Sequence, residues 1–166
     1  YRRQRQMCIR DSQGTAPDGT MTADRVQFNC VGSLSADRSL LVQGSLVTII
    51  GTRYYQSIYV KAFSPNEVGN QLRIASDGLT GLFSVITITA DWQRIVLNGL
   101  ASAATTNFIV ETRGTFTTPT NTTADVLLWG AQMEAGSNAS SYIPTTTATV
   151  TRNADVISKT GVSSLI

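Results

Sequence analysis

Histidine is absent from this 166-residue chain. That one absence excludes Ser-His-Asp triads, Cys-His nucleophile pairs and His-rich zinc sites together. Lysine is almost missing as well: two lysines stand against twenty-three threonines. The balance favours strands, because β-branched side chains fit a pleated surface and lysine-rich helices are lacking. Charged residues make up only 14% of the chain and hydrophobic ones 42%, with a mean hydropathy of +0.01. A disordered chain needs the reverse. No apolar run approaches the roughly 18 residues of a spanning helix. Two cysteines do not make a disulfide framework, and no GxSxG elbow, Walker loop or CxxC pair occurs. What remains is one domain of ordinary size, large enough for a real core.

The formal charge of +2 is misleading in its source. Arg2, Arg3, Arg5 and Arg10 crowd the first ten residues, and without residues 1–12 nine basic and ten acidic residues are left. A basic arm for nucleic acid would need a basic stripe in the body to continue it, and the body has none. Residues 1–12, YRRQRQMCIRDS, resemble a translated sequencing-adapter scar and are read as foreign to the fold. The sandwich is expected over 13–144. Residues 145–166, with the threonine-rich run Thr145 to Thr151, read as an extended arm or linker towards a following module.

Between these ends, short extended segments alternate with turn chemistry. They are expected at 23–31, 40–43, 46–50, 54–63, 72–75, 83–89, 92–100, 107–112 and 126–133, separated by pairs such as Gly32-Ser33, Gly44-Ser45 and Asp77-Gly78. Nowhere do apolar residues hold a helical period for three turns, and no crossover helix exists for a parallel sheet. Strands recurring at roughly ten-residue intervals predict an all-β antiparallel sandwich. Cys30, in the apolar run Val26 to Val31, is expected to be a small buried hydrophobe.

Four segments then carry a resemblance: Ala16 to Asp24, Ser57 to Ala62, Asp91 to Arg94, and Trp129-Gly130-Ala131-Gln132-Met133-Glu134-Ala135-Gly136-Ser137, which continues through Ser141-Tyr142-Ile143-Pro144 to Asp155-Val156. Together they resemble the jelly-roll modules of bacteriophage tail-fibre and other virion proteins, themselves similar to carbohydrate-binding modules of the cellulose- and xylan-binding type. The resemblance spans about residues 16–157. It implies a jelly-roll sandwich lacking its first strand, since residues 1–12 stand where that strand belongs. It further implies host surface glycan or polysaccharide as partner, neighbouring modules of the same chain, a homotrimeric fibre, and a virion location. An extracellular bacterial location, as the accessory domain of a polysaccharide-degrading enzyme, and a purely structural spacer are the alternatives. Neither nucleic acid nor membrane insertion is expected. No cofactor is expected beyond the structural Ca2+ that such modules often carry, for which Asp18, Asp24 and Asp155 are candidate oxygen donors; turn-forming aspartates account for them equally well.

The chemistry points to binding rather than catalysis. Glycoside hydrolysis needs two carboxylates across one cleft; most acidic residues fall in turns, Glu111 and Glu134 are the only plausible pair, and both read more readily as solvated strand charges, so no enzyme activity is expected. Sugars are recognised by aromatic faces over their C–H surfaces, with polar groups fixing the hydroxyls. Strand alternation puts Tyr55, Ser57, Tyr59 and Lys61 on one face, and Tyr54, Gln56, Ile58 and Val60 on the other. Tyr55, Tyr59 and Lys61 are therefore candidate ligand contacts, although Tyr59 could equally be an ordinary packed tyrosine. Arg94 and Gln132, polar residues inside apolar strands, are either groove contacts or members of an internal network. Trp129 is expected in the core, on a face with Leu127, Ala131 and Met133, and Trp92 at one end of the sandwich.

Overall fold

The computed structural model describes residues 8–30, 32, 34, 36–81, 83–114 and 121–145. Among the described residues nine strands and one short 3-10 turn follow each other: β1 (Cys8–Gly14), β2 (Ala23–Asn29), β3 (Arg38–Val47), β4 (Arg53–Ala62), the turn Pro65–Glu67, β5 (Gln71–Ser76), β6 (Phe83–Thr87), β7 (Gln93–Leu100), β8 (Thr105–Arg113) and β9 (Thr123–Ala135). They form a five-stranded sheet in the order β1-β2-β9-β4-β7 and a four-stranded sheet in the order β3-β8-β5-β6. Every strand pair is antiparallel. Sequence neighbours repeatedly part to opposite sheets, and the result is an all-β sandwich of jelly-roll type.

The core lies between the sheets. Ile58, Val60, Val126 and Leu128 of the five-stranded sheet meet Leu72, Ile74, Phe108 and Val110 of the four-stranded one. Alternation along β4 drives this: Tyr54, Gln56, Ile58, Val60 and Ala62 are buried, whereas Tyr55, Tyr59 and Lys61 are half-buried on the outer face. With Ser39, Thr106 and Thr112, Gln56 is one of several polar residues that are fully or nearly fully buried. Its Nε2 lies 3.5 Å from the Met133 sulfur and its Oε1 has no partner among the described residues. Cys30 is buried and free. Burial raises its thiol pKa, and the carboxylates of Asp37 and Glu111 push the same way.

Several expected details shift. The segments at 40–43 and 46–50 are one strand, β3, whose register slips between Gln43 and Leu46, where Ser45 has φ 58°. The Gly44-Ser45 pair is thus a bulge and not a break. Ile49 and Ile50 lie beyond the strand and are exposed. β1 pairs with β2 upstream of the Ala16–Thr20 turn, and residues 8–12 of the segment read as foreign belong to it. Residues 1–7 and the arm beyond Thr145 lie outside the described residues. No helix among the described residues is long and apolar enough to cross a membrane.

On the outer face of the four-stranded sheet, Glu111 is fully buried beneath arginines. Arg73 contacts its Oε1, Arg113 Nε donates to the same oxygen at 2.8 Å, and Arg38 lies 4.0 Å from Oε2. The Arg73 guanidinium also sits 4.4 Å over the Phe83 ring. Glu111 is therefore committed to holding strands β3, β5 and β8 together.

Candidate functional site

The outer face of the five-stranded sheet gathers the residues singled out above. Register places Arg94, Tyr59 and Trp129 in one row across β7, β4 and β9, then Val96, Ser57 and Gln132 in the next, and Asn98, Tyr55 and Glu134 in the third. Strict alternation along β9 would not do this. Trp129 faces Tyr59 while Gln132 faces Ser57, so β9 carries one extra residue against β4. Gly130 supplies the extra residue at φ +63°, a conformation that costs a residue with a Cβ. The bulge turns Gln132 and Glu134 outward beside Trp129 and sends Met133 inward, where it packs with Tyr54 and Leu79. Trp129 is thereby corrected from a core residue to a half-buried one. It lies on the outer face, with Trp92 and Leu127, in a cluster separate from the main core.

After β9 the chain turns at Gly136 and runs back over this face as a strap, residues 136–145. Tyr55 Oη donates to the Ser137 carbonyl at 2.6 Å. The Glu134 carboxylate accepts the Ser140 N–H at 2.7 Å and a Gln132 Nε2 hydrogen at 3.0 Å. Gln132 Oε1 accepts the Ile143 N–H at 2.8 Å, and its Nε2 also lies within reach of Ser140 Oγ and the Ser141 carbonyl. Glu134 is held below the usual carboxylate range. Burial alone would raise it, but the hydrogen bonds from Ser140 and Gln132, and the nearby Arg94, outweigh that.

The strap sets Tyr142 against Trp129, with ring centroids 4.4 Å apart, and Tyr59 meets the same indole edge-on at 5.4 Å. Beside these rings opens a groove of about 420 Å³, a size typical of small-ligand sites. Its floor is Leu128, Trp129 and Gly130, and Tyr142 and Pro144 line one side. The opposite wall is Asp18, Thr20, Thr22 and Asp24. That wall is built by the turn at Ala16-Pro17-Asp18-Gly19, where proline and glycine stand at the positions a β-turn favours and the Gly19 N–H reaches the Ala16 carbonyl at 3.0 Å. Asp18 Oδ1 accepts both the Thr20 N–H (3.0 Å) and the Thr20 hydroxyl (2.7 Å). These two bonds, the hydroxyl first, hold its pKa down against slight desolvation.

The candidate residues therefore divide. Tyr55 and Gln132 hold the strap. Tyr59 buttresses Trp129. Arg94 donates to Ser57 Oγ at 2.9 Å and lies 5.7 Å from the Tyr59 ring centre, while Lys61 stands one row away opposite Leu127. Trp129 and Tyr142, the rings that line the groove, were not among the expected contacts. Among the described residues no cluster of His, Cys, Asp and Glu is arranged to hold a metal. Asp18 and Asp24 share the groove wall, with Asp24 Oδ1 accepting the Ser12 N–H at 3.0 Å, and Asp155 lies outside the described residues. Glu111 and Glu134 sit on different sheets, so they do not flank one cleft.

No protein-family model matches this sequence, and no curated protein matches it. The likeness is to solved structures. A CBM4 carbohydrate-binding module aligns over 78% of this chain and 94% of its own, with TM-score 0.52 and 15% identity. The enzymatically active domain of bacteriophage CBA120 tailspike protein 4 aligns over 78% of this chain, with TM-score 0.53 and 6% identity, and this chain spans 18% of that one. At such identities the likeness is one of architecture: this chain has a jelly-roll sandwich fold like that of a carbohydrate-binding module.

Proposed function

We propose that this protein is a non-catalytic glycan-binding module and that the groove beside Trp129 and Tyr142 is its reading site. The observation that carries the reading is the pairing of the two rings with the Asp18–Asp24 wall. Rings cover the C–H faces of a pyranose, while carboxylate and hydroxyl oxygens orient its hydroxyls. Tyr59, Lys61 and Arg94 would extend the contact along the sheet. The fold likeness to a carbohydrate-binding module supports the reading without fixing it, since one fold hosts many functions. Affinity electrophoresis through a panel of polysaccharide gels, comparing the wild type with Trp129→Ala, Tyr142→Ala and Tyr59→Ala, tests it. Retardation that weakens about tenfold on loss of either groove ring, and less on loss of Tyr59, is expected. Retardation unchanged in both groove variants refutes the site.

Two settings fit such a module. In a phage tail fibre it would contact host surface glycans, weakly per copy and more strongly through repetition along a trimer; beside a polysaccharide-degrading enzyme it would hold the catalytic domain on its substrate. A parent reading frame with fibre segments would support the first, and one with a hydrolase domain would support the second. A spacer that binds no glycan is the outcome in which every gel leaves the wild type unretarded.

A further inference from the structure

Hydrogen-bond direction in the groove wall says what kind of sugar it accepts. The Asp18 carboxylate can only accept, so the Thr20 hydroxyl hydrogen points to Asp18 Oδ1. Thr20 Oγ1 and Thr22 Oγ1 are 2.6 Å apart, and with the Thr20 hydrogen already committed, Thr22 must be the donor between them. The Trp129 Nε1–H in turn donates to Thr22 Oγ1 at 3.0 Å. Indole, Thr22 and Thr20 thus form a one-way relay ending on Asp18, and all three side-chain donors point into it. What the wall offers a ligand is acceptors: the second oxygens of Asp18 and Asp24, which carry no hydrogen bond among the described residues, and the spare lone pairs of the threonines. Among the described residues lining the other side, the Tyr142 phenol is the one side-chain donor. No cationic residue lines the groove among the described residues.

We infer that the groove selects glycans rich in hydrogen-bond donors, taking amine-bearing sugar units more tightly than neutral ones and rejecting carboxylated ones. This rests on the glycan reading of the same groove and adds the class of sugar. A uronate would bring a carboxylate against two others with the Tyr142 phenol as its side-chain donor among the described lining residues, whereas an ammonium group finds two carboxylate partners. Exposed charge pairs of this sort change affinity by about two- to fivefold each at low ionic strength, and salt erases the effect as the screening length falls below the separation.

Titration calorimetry with three oligosaccharides of equal length, a glucosamine oligomer, its N-acetylated form and a galacturonate oligomer, tests the inference at a pH where the amine is charged. The expected order is glucosamine, then N-acetylglucosamine, then galacturonate. Raised salt should weaken the glucosamine oligomer and bring it to the neutral one. Asp24→Asn, which keeps the acceptor for Ser12 N–H, should narrow the gap by about two- to fivefold. Galacturonate binding as tightly as the neutral oligomer, or an order indifferent to salt in the wild type, overturns the inference and leaves the glycan reading standing. Failure of all three oligomers to bind overturns both. The wild-type salt series decides the matter even where Asp24→Asn does not fold.

Discussion

Replacing Gln132 with alanine should release the strap while leaving the sandwich intact. The Gln132 amide accepts from Ile143 N–H at 2.8 Å and donates to Glu134 at 3.0 Å, with Ser140 Oγ and the Ser141 carbonyl at 3.3 and 3.5 Å. The bond to Glu134 lies within β9, so the Ile143 bond is the one well-formed contact from Gln132 to the strap, and those to Ser140 and Ser141 are long. A net hydrogen bond contributes about 0.5–1.5 kcal/mol, so the variant should lose about 0.5–1.5 kcal/mol of strap docking. At about 1.4 kcal/mol per factor of ten, the Ile143 amide should exchange with solvent roughly two- to tenfold faster. The core is untouched, because Val60, Val126 and Leu128 pack on the other side of the sheet. Native-state hydrogen exchange followed by NMR reads both. Glycan affinity should fall in step, since the strap presents Tyr142. Exchange at Ser140 and Ile143 unchanged from wild type would refute the reasoning. So would equal acceleration at Val60, which would mean that Gln132 supports the whole fold.

Three further perturbations follow from the same geometry. Gly130→Ala places a Cβ at positive φ and 3.2 Å from the Tyr142 ring, so a loss of about 1–2 kcal/mol in denaturant unfolding is expected; no loss would mean that the bulge is not required. Gln56→Met removes a buried carbonyl oxygen that has no partner among the described residues and roughly preserves volume, and a gain of about 1–2 kcal/mol is expected; destabilisation would reveal a partner for Oε1. For pH, the depressed pKa of Glu134 means that its hold on Ser140 N–H is complete above the ordinary glutamate value of about 4.3 and fades as pH falls through the lower value of the docked strap. Ser140 protection should therefore stay flat from neutrality to about pH 5 and decline only below the ordinary value, and a midpoint near neutrality would assign the hold to another group.

Much of the architecture was legible because it depends on period-2 patterning. β4 buries Tyr54, Ile58 and Val60 and shows Tyr55, Tyr59 and Lys61 outward, as alternation requires. The groove was not legible, for two physical reasons. A single glycine at positive φ reverses the alternation of β9, so Trp129 joins Gln132 and Glu134 on the outer face and Met133 leaves it. Parity counting from Leu127 cannot see that reversal, although a glycine between an aromatic and a polar residue in an apolar strand is the local sign of it. The other reason is that the strap is irregular. Tyr142 reaches Trp129 through side-chain bonds from Gln132, Glu134 and Tyr55, and no periodicity encodes such a return. Asp18, first weighed as a turn former or metal ligand, acts in the turn through Thr20 and faces the groove as well.

The two tryptophans allow a direct test of where a glycan sits. The indole N–H of Trp92 donates to the Thr15 carbonyl at 3.3 Å outside the groove, and that of Trp129 belongs to the groove's own relay. NMR titration with the tightest-binding oligosaccharide should move the Trp129 indole resonance and the Thr20 and Tyr142 amides saturably, and leave Trp92 nearly still. Saturable shifts confined to the four-stranded sheet around Arg73 and Phe83, with Trp129 unmoved, would contradict the assignment of the groove as the glycan site.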